Sequence, residues 1–72
     1  MENKQEICNE LCKVLQMTRD GADIVRLIYC RQGLEYPEGV IVQYKSGYSK
    51  EINVSMDSGC AMVKDIMEYV AR

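Results

Sequence analysis

Seventy-two residues leave room for one domain, and a chain of that size buries roughly 60% of its unfolded surface, so every good core position counts. Apolar residues make up 47%, enough for a packed core and too many for a disordered tail. Nine basic against eleven acidic residues give a net charge of −2, without the basic excess of an electrostatic nucleic-acid binder, and no apolar run is long enough to span a membrane.

The opening Met1-Glu2-Asn3-Lys4-Gln5-Glu6 is polar and lacks the basic-then-apolar order of a signal peptide, so a cytoplasmic location is expected. Asn3 is a good helix cap with Glu6 as its capping-box partner, and a helix is predicted over about 3–18. Ile7, Cys8, Leu11, Val14 and Leu15 form its apolar stripe with Cys12 at the edge, while Glu6, Asn9, Glu10, Lys13 and Gln16 fill the other side. Gly21 is expected to stop the helix in left-handed geometry.

Three runs rich in β-branched and aromatic residues then predict strands over about 23–31, 39–45 and 48–55. The first connection, Gln32 to Glu38, is long and carries the turn markers Gly33 and Pro37. The second can be reasoned from pairing, because opposed residues on neighbouring strands share a face. A two-residue Ser46-Gly47 loop would set inward Val42 against outward Glu51. A three-residue loop, Lys45-Ser46-Gly47 with Gly47 left-handed, instead joins Val40, Val42 and Tyr44 to Ile52 and Val54, and sets Tyr44 opposite Tyr48.

A last helix is predicted over about 58–71, capped by Asp57 or Ser58. Cys60, Val63, Ile66, Met67 and Val70 are its expected buried stripe, with Met62 and Tyr69 at the margin and Lys64, Asp65, Glu68 and Arg72 facing water. The fold class is therefore α+β. The expected architecture is a single α-β-β-β-α domain over 1–72, an antiparallel three-stranded meander with two helices packed on one face.

The chain carries no strong catalytic signal. It has no histidine, the commonest base near neutral pH. The four cysteines are spaced Cys8-x3-Cys12, then Cys30, then Cys60, with only one close pair, inside a helix, which is not a zinc-site pattern. Without an export signal they are expected as free, metal-free thiols packed mostly in the core. Cys60, in the first turn of the second helix, is the nearest to a reactive position but is placed toward the core. Asp57-Ser58-Gly59 reads as a helix cap rather than a phosphate loop, since Asp57 carries the wrong charge and no Gly-rich loop motif is present. Ser58 has no base, and Glu35, Glu38, Asp65 and Glu68 read as solvated surface. The five tyrosines, in a chain with no Phe or Trp, are expected to supply the core's aromatic bulk rather than stacking platforms. No cofactor is expected, and the chain is expected not to be an enzyme.

The α-β-β-β-α order resembles the topology of double-stranded-RNA-binding domains. That family grips phosphates with a lysine cluster at the start of its second helix. Here the matching stretch is Asp57-Ser58-Gly59-Cys60-Ala61-Met62, with Lys64 its nearest cation, so the resemblance implies a shared fold without that family's phosphate grip. A second likeness lies in Gly47-Tyr48-Ser49-Lys50-Glu51-Ile52-Asn53-Val54 followed by Asp57-Ser58-Gly59-Cys60-Ala61-Met62-Val63-Lys64-Asp65-Ile66. This pattern resembles a small uncharacterised family of accessory proteins on bacterial conjugative transposons, over about residues 39–70. It implies a bacterial cytoplasmic accessory protein and carries no functional residues with it.

The sheet face away from the helices is the candidate interaction surface. Arg26 in mid-strand is rarely buried unpaired, so its face is turned outward with Ile24, Ile28 and Cys30. Ile41, Gln43 and Lys45 join from the second strand, and Glu51, Asn53 and Ser55 from the third. Ile24, Ile28, Cys30 and Ile41 then form an apolar island rimmed by Arg26, Gln43 and Asn53, the kind of patch that marks contact sites. A non-enzymatic module binding a protein partner or itself is the first expectation. A nucleic-acid-binding accessory domain is the alternative and a cysteine-based redox protein the third.

Overall fold

A computed structural model describes residues 3–72. Its elements are α1 (Lys4–Gln16), β1 (Ile24–Cys30), β2 (Gly39–Tyr44), β3 (Ser49–Asn53) and α2 (Gly59–Val70). The strands form one antiparallel sheet in the order β1-β2-β3, the meander expected from the sequence. No helix among the described residues is long and apolar enough to cross a membrane.

Asn3 caps α1 by accepting the Glu6 N–H at 3.0 Å. Cys8, Leu11, Cys12 and Leu15 are the residues it buries, so Cys12 belongs to the core and Val14, 57% exposed, does not. The helix ends at Met17 in right-handed geometry. Gly21 is not left-handed; it is buried against Leu15, whose carbonyl carbon would lie 2.9 Å from an added Cβ. Its role is close approach rather than a left-handed stop.

The β2–β3 hairpin has the register that the pairing rule requires. Val40 opposes Ile52, Ile41 opposes Glu51, Val42 opposes Lys50, and the Tyr44 N–H reaches the Tyr48 carbonyl at 2.9 Å. Lys45-Ser46-Gly47 is the loop, with Gly47 at φ 93°. The Tyr44 and Tyr48 rings meet at 5.9 Å.

Ser58 caps α2 by accepting the Ala61 N–H. Its buried stripe is Gly59, Met62, Ile66 and Val70: Ile66 and Val70 are buried as expected, while Gly59 and Met62 take the places expected for Cys60 and Val63. Cys60 and Met67 are exposed and Val63 is half-buried, whereas Met62 is fully buried. The arc from Cys60 to Val70 holds two apolar stripes of equal spacing, and only packing against the sheet chooses between them.

The core joins both helices to one sheet face. Ile24, Leu27, Val40, Val42 and Val54 meet Cys8, Leu11, Cys12, Leu15, Met62, Ile66 and Val70, with Tyr29, Tyr44, Ile52 and Tyr69 packed around them. Among the described residues no helix lies on the opposite face of the sheet.

Candidate interaction surface

The outer face is set by register. Arg26 opposes Gln43, Ile28 opposes Ile41, and Cys30 opposes Gly39, while on the other side Ile41 opposes Glu51 and Gly39 opposes Asn53. Six of the seven residues expected on this face are therefore brought together: Arg26, Ile28, Cys30, Ile41, Gln43 and Asn53. The seventh, Ile24, is not. A β-bulge between Ile24 and Arg26 leaves Val25 as an extra residue, so Ile24 opposes Tyr44 and turns inward, fully buried, while Val25 is exposed. One extra residue reverses every side chain beyond it, because strand faces alternate with a period of two.

At the centre of the face Ile28 and Ile41 form a directly opposed cross-strand pair, both half-buried. Arg26 and Asn53 are exposed, and Gln43 and Cys30 are half-buried around them.

Glu51, expected on the outer face, is the most buried charged residue among those described, at 9% exposure. Its Oε1 accepts the N–H groups of Leu34 and Glu35 at 2.9 and 3.3 Å, and its Oε2 accepts that of Tyr36 at 3.1 Å. Three backbone donors replace the water the carboxylate loses, which is how a buried charge is tolerated. The site also requires Gly33 and Gly39. A Cβ on Gly33 would overlap the carboxylate, and one on Gly39 would lie 2.6 Å from it. The long β1–β2 connection is thereby folded back over one end of the outer face and held there. In the sequence the only signal was a pair of glycines flanking a long loop, with nothing to say which acceptor they made room for.

A second polar cluster closes the end of the sandwich where β1 ends and α2 begins. Lys4 Nζ bonds Glu38 Oε2 at 2.8 Å and the Asp57 carbonyl at 2.7 Å, and it lies 5.6 Å from the centre of the Tyr29 ring. The Tyr29 hydroxyl also donates to Glu38, and Glu38 Oε1 accepts the Met56 N–H at 3.1 Å. Lys4 and then Tyr29 hold Glu38 below the usual carboxylate range, and the same Glu38 bond, with burial, pushes Tyr29 up. Glu38 is thus a structural tie and not free surface. Asp57 is shifted the other way, upward, chiefly by hydrogen bonding with the Asp65 carboxyl and next by burial. No donor among the described residues reaches its buried Oδ2.

The cysteines are free thiols in different settings: Cys8 and Cys12 are buried, Cys30 is half-buried and Cys60 is exposed. Burial and the neighbouring Cys12 push Cys8 up to about 11, the opposite of a thiol poised for attack. No group of three or more metal-ligating side chains converges among the described residues. Tyr29, Tyr44 and Tyr69 pack on the core, but Tyr48 is 58% exposed. Burial, and then the Tyr44 hydroxyl, push Tyr69 up to about 12. Cys60 and Val63 line a shallow cleft between the two helices with Ile7 and Gly59, Ile7 and Val14 line a second along α1, and Val14 and Met67 are exposed.

No protein-family model, curated protein or solved structure matches the chain. The functional reading therefore rests on geometry.

Proposed function

We propose that this chain is a non-enzymatic interaction module that presents the outer sheet face to a protein partner. The observation that supports the reading is the Ile28–Ile41 pair, opposed in register at the centre of a sheet face that neither helix of the described residues covers, and ringed by Arg26, Gln43 and Asn53. Two β-branched side chains on adjacent strands have few rotamers to lose on docking, so an apolar contact there costs little side-chain entropy. The polar rim supplies direction, as the rims of protein interfaces do. Glu51 adds rigidity, since the loop bordering the face is tied to the sheet beneath it.

The test is retention of partners from the native host by the tagged full chain, compared with Ile28→Asp and Ile41→Asp, with the bound proteins identified by mass spectrometry. Wild type should retain a partner that both variants lose while their circular dichroism is unchanged. A partner lost instead on Val63→Asp or Met67→Asp would move the site to the helices. Binding to duplex RNA or DNA in a gel shift, weakening steeply with salt, would favour the nucleic-acid reading in its place.

A further inference from the structure

The two edges of the sheet are treated differently. On β1 the free edge is covered by α1. Gln5 donates to the Leu27 carbonyl at 3.1 Å and accepts the Tyr29 N–H at 2.8 Å. Gln16 donates to the Ile24 carbonyl at 2.9 Å, and Cys12 Sγ lies 3.7 Å from the Val25 carbonyl. Side chains have taken the place another strand would need.

On β3 no side chain of the described residues bonds the backbone edge, although the Leu34–Tyr36 loop lies beside it on the Glu51 carboxylate. The Tyr44–Tyr48 and Val54–Glu38 backbone bonds fix which residues face β2, and alternation then points the N–H and C=O groups of Ser49, Glu51 and Asn53 outward. No hydrogen bond from the described residues reaches those groups. Beside this edge α2 leaves a groove of about 410 Å³, lined by Lys50, Ile52, Asp65, Glu68 and Tyr69, with Tyr36 from the β1–β2 loop and the cation Arg72 also on its wall. A lysine on an edge strand ordinarily guards against pairing. Here the α2 side of the same groove carries two carboxylates, Asp65 and Glu68, against one cation, Arg72, and Glu68 has only a long, exposed pairing with Lys64 at 3.9 Å, so a further lysine would be received.

We propose that β3 is a strand-addition edge whose occupant is β3 of a second copy, paired antiparallel about a two-fold axis, so that two three-stranded sheets become one. An axis through Glu51 sets Ser49 opposite Asn53 of the second copy and Lys50 opposite Ile52. Each Lys50 then enters the other copy's groove, with its stem along Ile52 and its ammonium beside Asp65 and Glu68. Two Glu51 carboxylates would repel each other at such an axis, but each is turned back beside Gly39 and held by its own loop. The site lies on the rim of the sheet and does not depend on the outer-face reading.

Sedimentation equilibrium of the full chain tests it. Wild type should show a reversible monomer–dimer equilibrium. Ser49→Pro and Asn53→Pro each remove an outward N–H that the sheet itself does not use, Asn53→Pro also giving up the bond from the Ser55 N–H to Asn53 Oδ1, and should weaken the dimer by about tenfold or more with an unchanged circular dichroism spectrum. Lys50→Glu should do the same, and adding Glu68→Lys should restore it. Should the prolines unfold the chain, the charge swap decides alone. Ile28→Asp should leave the dimer intact. A wild type that stays monomeric, a dimer indifferent to both prolines and to Lys50→Glu, or one dissolved by Ile28→Asp would overturn the proposal.

Discussion

Along β2, Val40 and Val42 point inward and are fully buried, while Ile41 between them points outward and stays half-buried. The inner face is shaped by many interlocking apolar side chains from two helices. The outer face is shaped by one carboxylate, three backbone N–H groups and two glycines at its margin, leaving its central isoleucines with water on one side. Similar residues therefore do different work. Inside they hold the fold together; outside they are available for contact at little expense to it.

The contrast can be broken hardest from the inside. Met62→Ala or Ile66→Ala, each at a fully buried position, should cost about 2–5 kcal/mol in urea unfolding, enough to threaten a domain of this size. Ile41→Ala should cost far less. An Ile41→Ala as damaging as Ile66→Ala would mean that the outer face is core.

Glu51→Ala comes next. It strips the acceptor from three loop N–H groups, with an expected loss of about 1–3 kcal/mol and faster amide exchange at Leu34 and Tyr36. Gly39→Ala should mimic it by displacing the carboxylate without removing the charge. Unchanged exchange at both amides would show that the loop is held by something else.

How much of this was legible beforehand follows the same division. The β2–β3 register, the three-residue loop and the left-handed Gly47 followed from alternation, because both strands are regular there. The β1 face was legible only from Arg26 onward. The bulge at Val25 lies inside a run of β-branched residues, where no glycine or proline marks the slip, and it carried Ile24 to the wrong side. The phase of α2 was ambiguous for a related reason, an apolar arc too wide to show its buried centre. Glu51 was unreadable because a carboxylate between outward residues looks solvated until a distant loop folds onto it. Gln5 and Gln16 belong to the same class, polar helix residues whose partner is a strand edge far along the chain.

Two smaller effects sharpen the picture at the β3–α2 turn. Met56 sits at φ 64° and is 99% exposed, so Met56→Gly should relieve left-handed strain worth about 1 kcal/mol and lose no packing. A lower melting temperature would show that the Met56 side chain matters to the fold. Asp57→Asn concerns pH. Asp57 titrates higher in the folded chain than in the unfolded one, so its contribution favours folding at acid pH and is lost as pH rises through its raised value. Glu38 has the opposite sign, with stability present above the ordinary carboxylate value and lost as pH falls through its lowered one. Asp57→Asn should therefore raise the melting temperature near neutral pH and change it little in acid. An equal change at both pH values would contradict the upward shift of Asp57.

The most direct test of the outer face as a binding surface is Ile28→Asp, read by thermal unfolding and partner retention on the same preparation. A charge on that face should leave the melting temperature within a few degrees of wild type, because the side chain can reach water beside Ile41, and should abolish capture of the partner. A folded Ile28→Asp that still captures the partner, or one that unfolds as a core substitution does, would contradict the account.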